Sequence, residues 1–120
     1  MPAEQTRSRV ARAQGAYFLT TGIWPLLDRA SFERVTGPKA DFWLAQTVGV
    51  LVGVVGGVLL LSENRNRITR ELELLAVGSA AGLGLVDVVF SLRGRISKVY
   101  LVDAAIEAAL VAGWLRSDRA

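Results

Sequence analysis

Three acidic residues, Asp87, Asp103 and Glu107, interrupt stretches that are otherwise apolar enough to cross a bilayer. A carboxylate at the centre of a membrane helix costs roughly 2.5 to 3.5 kcal/mol on insertion scales, so acids kept there face something other than lipid. Two uses are open to them. As structural groups they would be neutralised by Arg93, Arg95, Lys98 or Arg12, or by a bound proton. As functional groups they would line a cavity that takes a cation, a proton or the polar head of a ligand. Asp103 and Glu107 are four residues apart and therefore stack on one face of a helix.

The rest of the composition narrows the chemistry. The 120 residues hold no cysteine and no histidine. Disulfides, thiol nucleophiles, imidazole bases and Cys/His metal sites are thereby excluded. Carboxylates, hydroxyls, amides and arginines remain, and no spacing among them marks a catalytic set, a cofactor or a metal. The net charge of +3 comes from Lys and Arg concentrated in the gaps between apolar runs. They read as contacts with anionic lipid head groups, and no basic stripe interleaved with aromatics offers a nucleic-acid surface.

The acids sit in a strongly apolar chain: 52% of residues are hydrophobic and no charge occurs from Phe42 to Ser62. At about 1.5 Å per residue that segment spans a hydrocarbon core of about 30 Å. Four apolar runs follow, about 10–27, 42–61, 72–92 and 99–115. The expectation is a single all-α domain over residues 1–120, an integral membrane antiparallel four-helix bundle with both termini on one side. Arg7, Arg9 and Arg12 precede the first run as in a signal peptide. Small residues at cleavage positions are missing and Trp24-Pro25 stands there instead, so the run is read as a retained span.

The first gap contains Asp28 to Val35, a short amphipathic segment suited to lie at the interface with Phe32 and Val35 dipping into lipid, ended by Gly37-Pro38. Trp24, Trp43, Tyr100 and Trp114 fall near span ends and read as interfacial anchors. Of the fourteen Lys and Arg residues, eight lie in the termini and the second gap, and six in the first and third gaps. The positive-inside rule thus favours cytoplasmic termini by a small margin.

Packing is signalled by Gly49, Gly53 and Gly57, with Gly56 beside them, and by Gly78 and Gly82, spacings that let helix backbones approach. This glycine zipper reads as intrachain packing, with a homodimer seam as the alternative. The fourth run carries two acids and many alanines, so it should insert as a hairpin with the third, joined by the tight turn Arg93 to Lys98. Asp87 and Asp103 would then lie roughly 8 to 9 Å below one membrane edge, with Glu107 a turn deeper. Gln46 and Thr47, and Thr20, Thr21 and Trp24, occupy the same level on the other two helices.

The segment from Gly15 to Val50, with Trp24-Pro25, Ser31-Phe32-Glu33-Arg34-Val35-Thr36-Gly37-Pro38-Lys39 and Asp41-Phe42-Trp43-Leu44, resembles uncharacterised small bacterial four-helix integral membrane proteins. The run Arg95-Ile96-Ser97-Lys98-Val99-Tyr100-Leu101-Val102-Asp103-Ala104, with Glu107 and Trp114, extends that resemblance over nearly the whole chain. It implies a multi-pass protein of the cell (inner) membrane and no activity. The chain is similar in architecture alone to the emopamil-binding and sigma-2-receptor-like proteins, which set carboxylates around a lipid pocket. The small multidrug exporters are similar in size and charge balance but carry their essential acid in the first helix, where this chain has Gln14, Thr20 and Thr21.

The functional expectation is a non-enzymatic membrane protein with an acid-lined pocket for a small amphipathic or cationic ligand or a lipid head group. Asp103 and Glu107 would carry the charge, Asp87 would complete the cluster, Gln46 and Thr21 would donate hydrogen bonds, and Trp24 would line the site. The alternatives are a proton-coupled carrier working as a dimer, a lipid-modifying enzyme of isomerase type, and a structural or assembly protein.

Overall fold

The computed structural model describes residues 3–119, and among them the regular structure is wholly helical. Five helices follow in order: α1 (Ala3–Leu27), α2 (Arg29–Thr36), α3 (Phe42–Asn64), α4 (Arg70–Leu92) and α5 (Tyr100–Arg119). The short amphipathic segment after Leu27 forms α2. Asp28 caps it by accepting the Ser31 N–H at 3.2 Å, and Gly37, at φ 94°, stops it just before Pro38. Thr69 caps α4 through the Leu72 N–H at 3.1 Å, and Asn66 and Gly94 supply the left-handed residues of the two remaining turns.

Helices α1 and α5 each run about a turn or more beyond the apolar windows, α1 starting at Ala3 and α5 reaching Arg119. The added turns are polar, and their side chains are held by partners on other helices. Ser8 donates to Glu63 at 2.6 Å and Arg7 meets Glu73 and Asp118, both at 3.4 Å.

Packing is uneven. The most extensive interfaces are α1 on α3 and α4 on α5, α1 also touches α5, and α3 and α4 meet at few places. The α1–α3 interface is made by glycines seven apart on both helices, Gly15 and Gly22 facing Gly56 and Gly49. A Cβ on Gly22 would lie 2.5 Å from the Gly49 carbonyl oxygen, and one on Gly56 2.5 Å from the Leu19 nitrogen, so the backbones themselves are in contact. Gly57, Gly78 and Gly82, expected to serve packing, have open space where a side chain would stand. Their four-residue spacing drifts off the contact line that the seven-residue spacing follows.

Two apolar layers fill the centre. Ala11, Leu59, Ala76 and Trp114, one from each long helix, form one, and Phe18, Ala80 and Leu110 form the other. Gln14 is also wholly buried, donating to the Ala76 carbonyl at 2.9 Å and accepting the Trp114 indole N–H at 2.7 Å. Trp114 is therefore a core residue, contrary to its reading as an interfacial anchor: Gln14 gives its N–H the partner that the head-group region would otherwise supply.

Outside and inside are inverted relative to a water-soluble helical domain. Leu51, Val54, Leu85 and Leu92 are each more than half exposed, whereas Gln14, Glu73, Asp87, Ser91, Glu107 and Ser117 are buried. Helices α3 and α4 are long and apolar enough to cross a membrane. Helices α1 and α5 bury Gln14, Glu107 and Ser117 and expose Ala13, Ala16, Ala105, Ala108, Ala109 and Ala112, so alanines make up much of their outer faces where α3 and α4 carry leucine and valine.

Candidate functional site

At the end of the molecule where α2 sits, the helices leave a cavity of about 370 Å³. That lies within the range of small-molecule pockets, about 300 to 1,000 Å³. Its walls are largely apolar: Phe18 and Trp24 of α1, Phe32 and Val35 of α2, Val48 and Val52 of α3, Leu83 of α4 and Tyr100 of α5. Val35, Val48 and Val102 belong to the lining yet are about half exposed or more, so the cavity reaches the surface.

Its polar part is the acid cluster. One carboxylate oxygen from each of Asp87, Asp103 and Glu107 lies within 4.8 Å of the other two. The packing of α4 against α5 produces this, because the turn after Leu92 returns the chain alongside itself and brings Asp103 close to Asp87. Gly84 completes the geometry. A Cβ there would be 3.3 Å from the Glu107 Cβ, so the missing side chain lets the Glu107 stem lie in the α4–α5 seam. Asp87 is 6% exposed and Glu107 2%.

Partners for these acids are few. The Tyr17 hydroxyl of α1 donates to Asp103 Oδ1. Asp87 Oδ2 and Glu107 Oε1 are buried and have no hydrogen-bond partner among the described residues. Among the described residues no Lys or Arg forms an ion pair with any of the three. The basic residues proposed from the sequence as neutralising partners are engaged elsewhere or exposed. Lys98 Nζ donates to the Ser91 carbonyl, Arg12 pairs with Glu63 at 2.7 Å, and Arg93 and Arg95 are exposed. Buried carboxylate oxygens left without donors are rare in folded proteins and expensive.

The wall next to α2 is fixed by aromatic contacts. Trp24 Nε1 donates to Ser31 Oγ at 2.8 Å, and its ring meets Phe32 edge-on at 5.3 Å. Phe32 continues to Phe42 at 6.1 Å, and Lys39 Nζ lies 5.1 Å from the Tyr100 ring. On the outer side of α2, Glu33 accepts the Lys39 backbone N–H at 2.8 Å and the Arg29 Nε–H at 3.0 Å. These two bonds, the Lys39 one foremost, hold its carboxyl below the usual glutamate range.

Of the residues singled out in the sequence, Asp87, Asp103, Glu107, Thr21 and Trp24 line the cavity. Thr21 is not a donor to the acids, because its hydroxyl returns to the Tyr17 carbonyl of its own helix at 2.8 Å. Gln46 does not line the cavity. Ala45, Gly49 and Val52 form the inward line of α3, and Gln46, one position on from Ala45, is rotated by a helical step onto its flank. Tyr17 was not anticipated. It lies seven residues before Trp24, on the same face of α1, and that spacing was its one signal in the sequence.

Comparison with protein families, with characterised proteins and with solved structures gives no match to this chain. The functional reading therefore rests on the geometry alone.

Proposed function

We propose that this chain is an integral membrane protein, an antiparallel four-helix bundle with α1, α3, α4 and α5 as spans, whose acid-lined cavity binds a small amphipathic cation. The observation that carries the reading is the pair of buried, partnerless carboxylate oxygens, Asp87 Oδ2 and Glu107 Oε1, beside a cavity with room for a ligand. Among the described residues no Lys or Arg pairs with them, so a cation from outside would complete the site.

The inverted surface supports the membrane reading. Large apolar side chains coat α3 and α4 while acids and amides occupy the interior, the arrangement a bilayer solvent selects. The half-exposed Val48 and Val102 would then face acyl chains, and the ligand's apolar body would reach the cavity from within the lipid. Phe18, Trp24 and Phe32 would receive that body, and the acids its charge.

The test is equilibrium binding to the purified protein in lipid nanodiscs, followed by tryptophan fluorescence, comparing phenethylamine with phenethyl alcohol, which has the same body and no charge. Wild-type protein should bind the amine and not the alcohol, and Asp103→Asn and Glu107→Gln should lose the amine while remaining folded by circular dichroism. Equal binding of amine and alcohol, or amine binding unaltered in both variants, would refute the reading.

A further inference from the structure

The geometry points to a narrower ligand class: the cavity selects a primary ammonium group over a quaternary ammonium or a metal ion. This inference rests on the cation-binding reading above and specifies its head group.

The first ground is the kind of partner the acids lack. Asp87 Oδ2 and Glu107 Oε1 each want a hydrogen-bond donor, and so does the capacity of Asp103 beyond the one bond from Tyr17. A trimethylammonium group brings charge and no N–H, so it would leave buried acceptors unsatisfied. A primary ammonium brings three N–H donors on one atom. Each acid can then take one, with the charge shared among them.

The second ground is spacing. Three acceptors placed at tetrahedral angles around one nitrogen, each at a charge-assisted distance of about 2.8 Å, stand about 4.6 Å from one another. The three carboxylates offer oxygens that all lie within 4.8 Å of one another. The trio is thus close enough for one –NH3+ to reach all three acids and too close for a methylated head, whose methyl groups would occupy the space the donors need.

The third ground separates an amine from a metal ion. A hard divalent cation of six or more oxygen ligands would need all three carboxylates to bind bidentately, or water in the remaining positions of a largely apolar cavity. Around the acids stand the Tyr17 hydroxyl, already given to Asp103, and the apolar Leu83 and Phe18. The Thr21 hydroxyl is committed to its own helix. Beyond the acids, the cavity continues for most of its 370 Å³ along aromatic and aliphatic walls, a volume that suits an organic body.

The experiment titrates full-length protein in nanodiscs with phenethylamine, with its N,N,N-trimethyl analogue, and with calcium and manganese chlorides, reading tryptophan fluorescence and calorimetric heat. Phenethylamine should bind at least about tenfold more tightly than the trimethyl analogue, and neither metal should displace it at millimolar concentration. Glu107→Gln and, independently, Asp87→Asn should bring the primary amine down to the level of the trimethyl compound, with thermal melts certifying that each variant is folded. Equal or tighter binding of the trimethyl analogue would overturn the inference and leave the cation pocket standing. Displacement of the amine by either metal at micromolar concentration would overturn it in favour of an ion site. Failure of both amines to bind would remove the cation-binding reading together with this one.

Discussion

The two ends of the molecule treat buried acids in opposite ways. At the end where the chain termini lie, Glu73 is 2% exposed and has Arg70 at 3.1 Å and Arg7 at 3.4 Å. Asp118 shares both arginines, at 3.4 and 3.6 Å, and Glu63 takes Arg12 at 2.7 Å and Ser8 at 2.6 Å. Each of these three acids has a guanidinium from another helix. At the α2 end Asp87, Asp103 and Glu107 stand close together, no Lys or Arg among the described residues pairs with them, and the uncharged Tyr17 donates to Asp103. Between the ends lies the Gln14 layer, whose amide is satisfied on both sides by Ala76 and Trp114. A fold that pairs three acids at one end has the means to pair three more. Glu73 Oε1 also lacks a hydrogen bond, yet it has the Arg7 guanidinium at 3.4 Å. Asp87 Oδ2 and Glu107 Oε1 have neither a hydrogen bond nor an ion pair among the described residues. That difference, beside a cavity, is why the open end reads as a binding site and the closed end as a clasp.

The contrast can be broken most forcefully at the clasp. Removing both Arg7 and Arg70 as alanines leaves Glu73 buried without a cation, and breaking a buried pair in this way costs about 3 kcal/mol. Reversible unfolding in mixed micelles should show that loss. A stability within error of wild type would mean that the ion pairs are not what closes this end.

Next in size is the seam that runs between the ends. Gly22→Ala and Gly56→Ala each drive a Cβ into the backbone of the facing helix and should cost about 1 to 3 kcal/mol. Gly78→Ala and Gly82→Ala meet open space and should stabilise by up to about 1 kcal/mol through helix propensity. The same ranking from thermal melts for all four would show that the glycine spacing, and not the α1–α3 contact, governs stability.

The opposite sign is expected at the open end. Asp87→Asn replaces a partnerless oxygen with a donor that Asp103 can accept, and Glu107→Gln does the same from the next turn. Each should raise the stability of the ligand-free protein by about 1 kcal/mol, measured by the same unfolding assay. A loss comparable to that of the arginine variants would show that these acids are structural.

The smallest effect concerns α2. The Glu33 carboxyl lies below its usual range in the folded protein, so its contribution is present at neutral pH and above the unfolded value. It is lost as pH falls through the folded value. Asp28, held low by the backbone N–H of Ser31, has the same sign. Acidification below the carboxylate range should therefore loosen α2 weakly, seen as faster amide exchange at Ser31 and Lys39, and Glu33→Gln should abolish the Lys39 part of that pH dependence.

Much of this was legible in the sequence because the signals are local. The apolar runs, the Asp28 cap, the Gly37-Pro38 stop and the four-residue spacing of Asp103 and Glu107 each follow from neighbours along the chain. What escaped depends on pairs far apart in it. The inward line of α3 could be drawn through Gln46 or through Ala45, and only contact with Gly15 and Gly22 of α1 settles which. Trp114 has the composition of an anchor, and its burial depends on Gln14, one hundred residues away. Tyr17 reads as one aromatic among several until the fold sets it against Asp103. The helix ends extend past the apolar windows for the same reason: Arg7 and Asp118 are polar in sequence and are held in place by one another and by Glu73.

Among the described residues the open end has no cationic side chain paired with its acids, where the closed end has three arginines. The sharpest check of that difference is thermal unfolding of wild type and Glu107→Gln, each with and without phenethylamine at one hundred times its wild-type Kd. Ligand linkage predicts a gain of about 2.7 kcal/mol for wild type and at most about 1.4 kcal/mol for the variant, which should bind at least about tenfold more weakly and whose ligand-free stability should already be the higher of the two. An equal gain in both proteins, or no gain in wild type, would contradict the account.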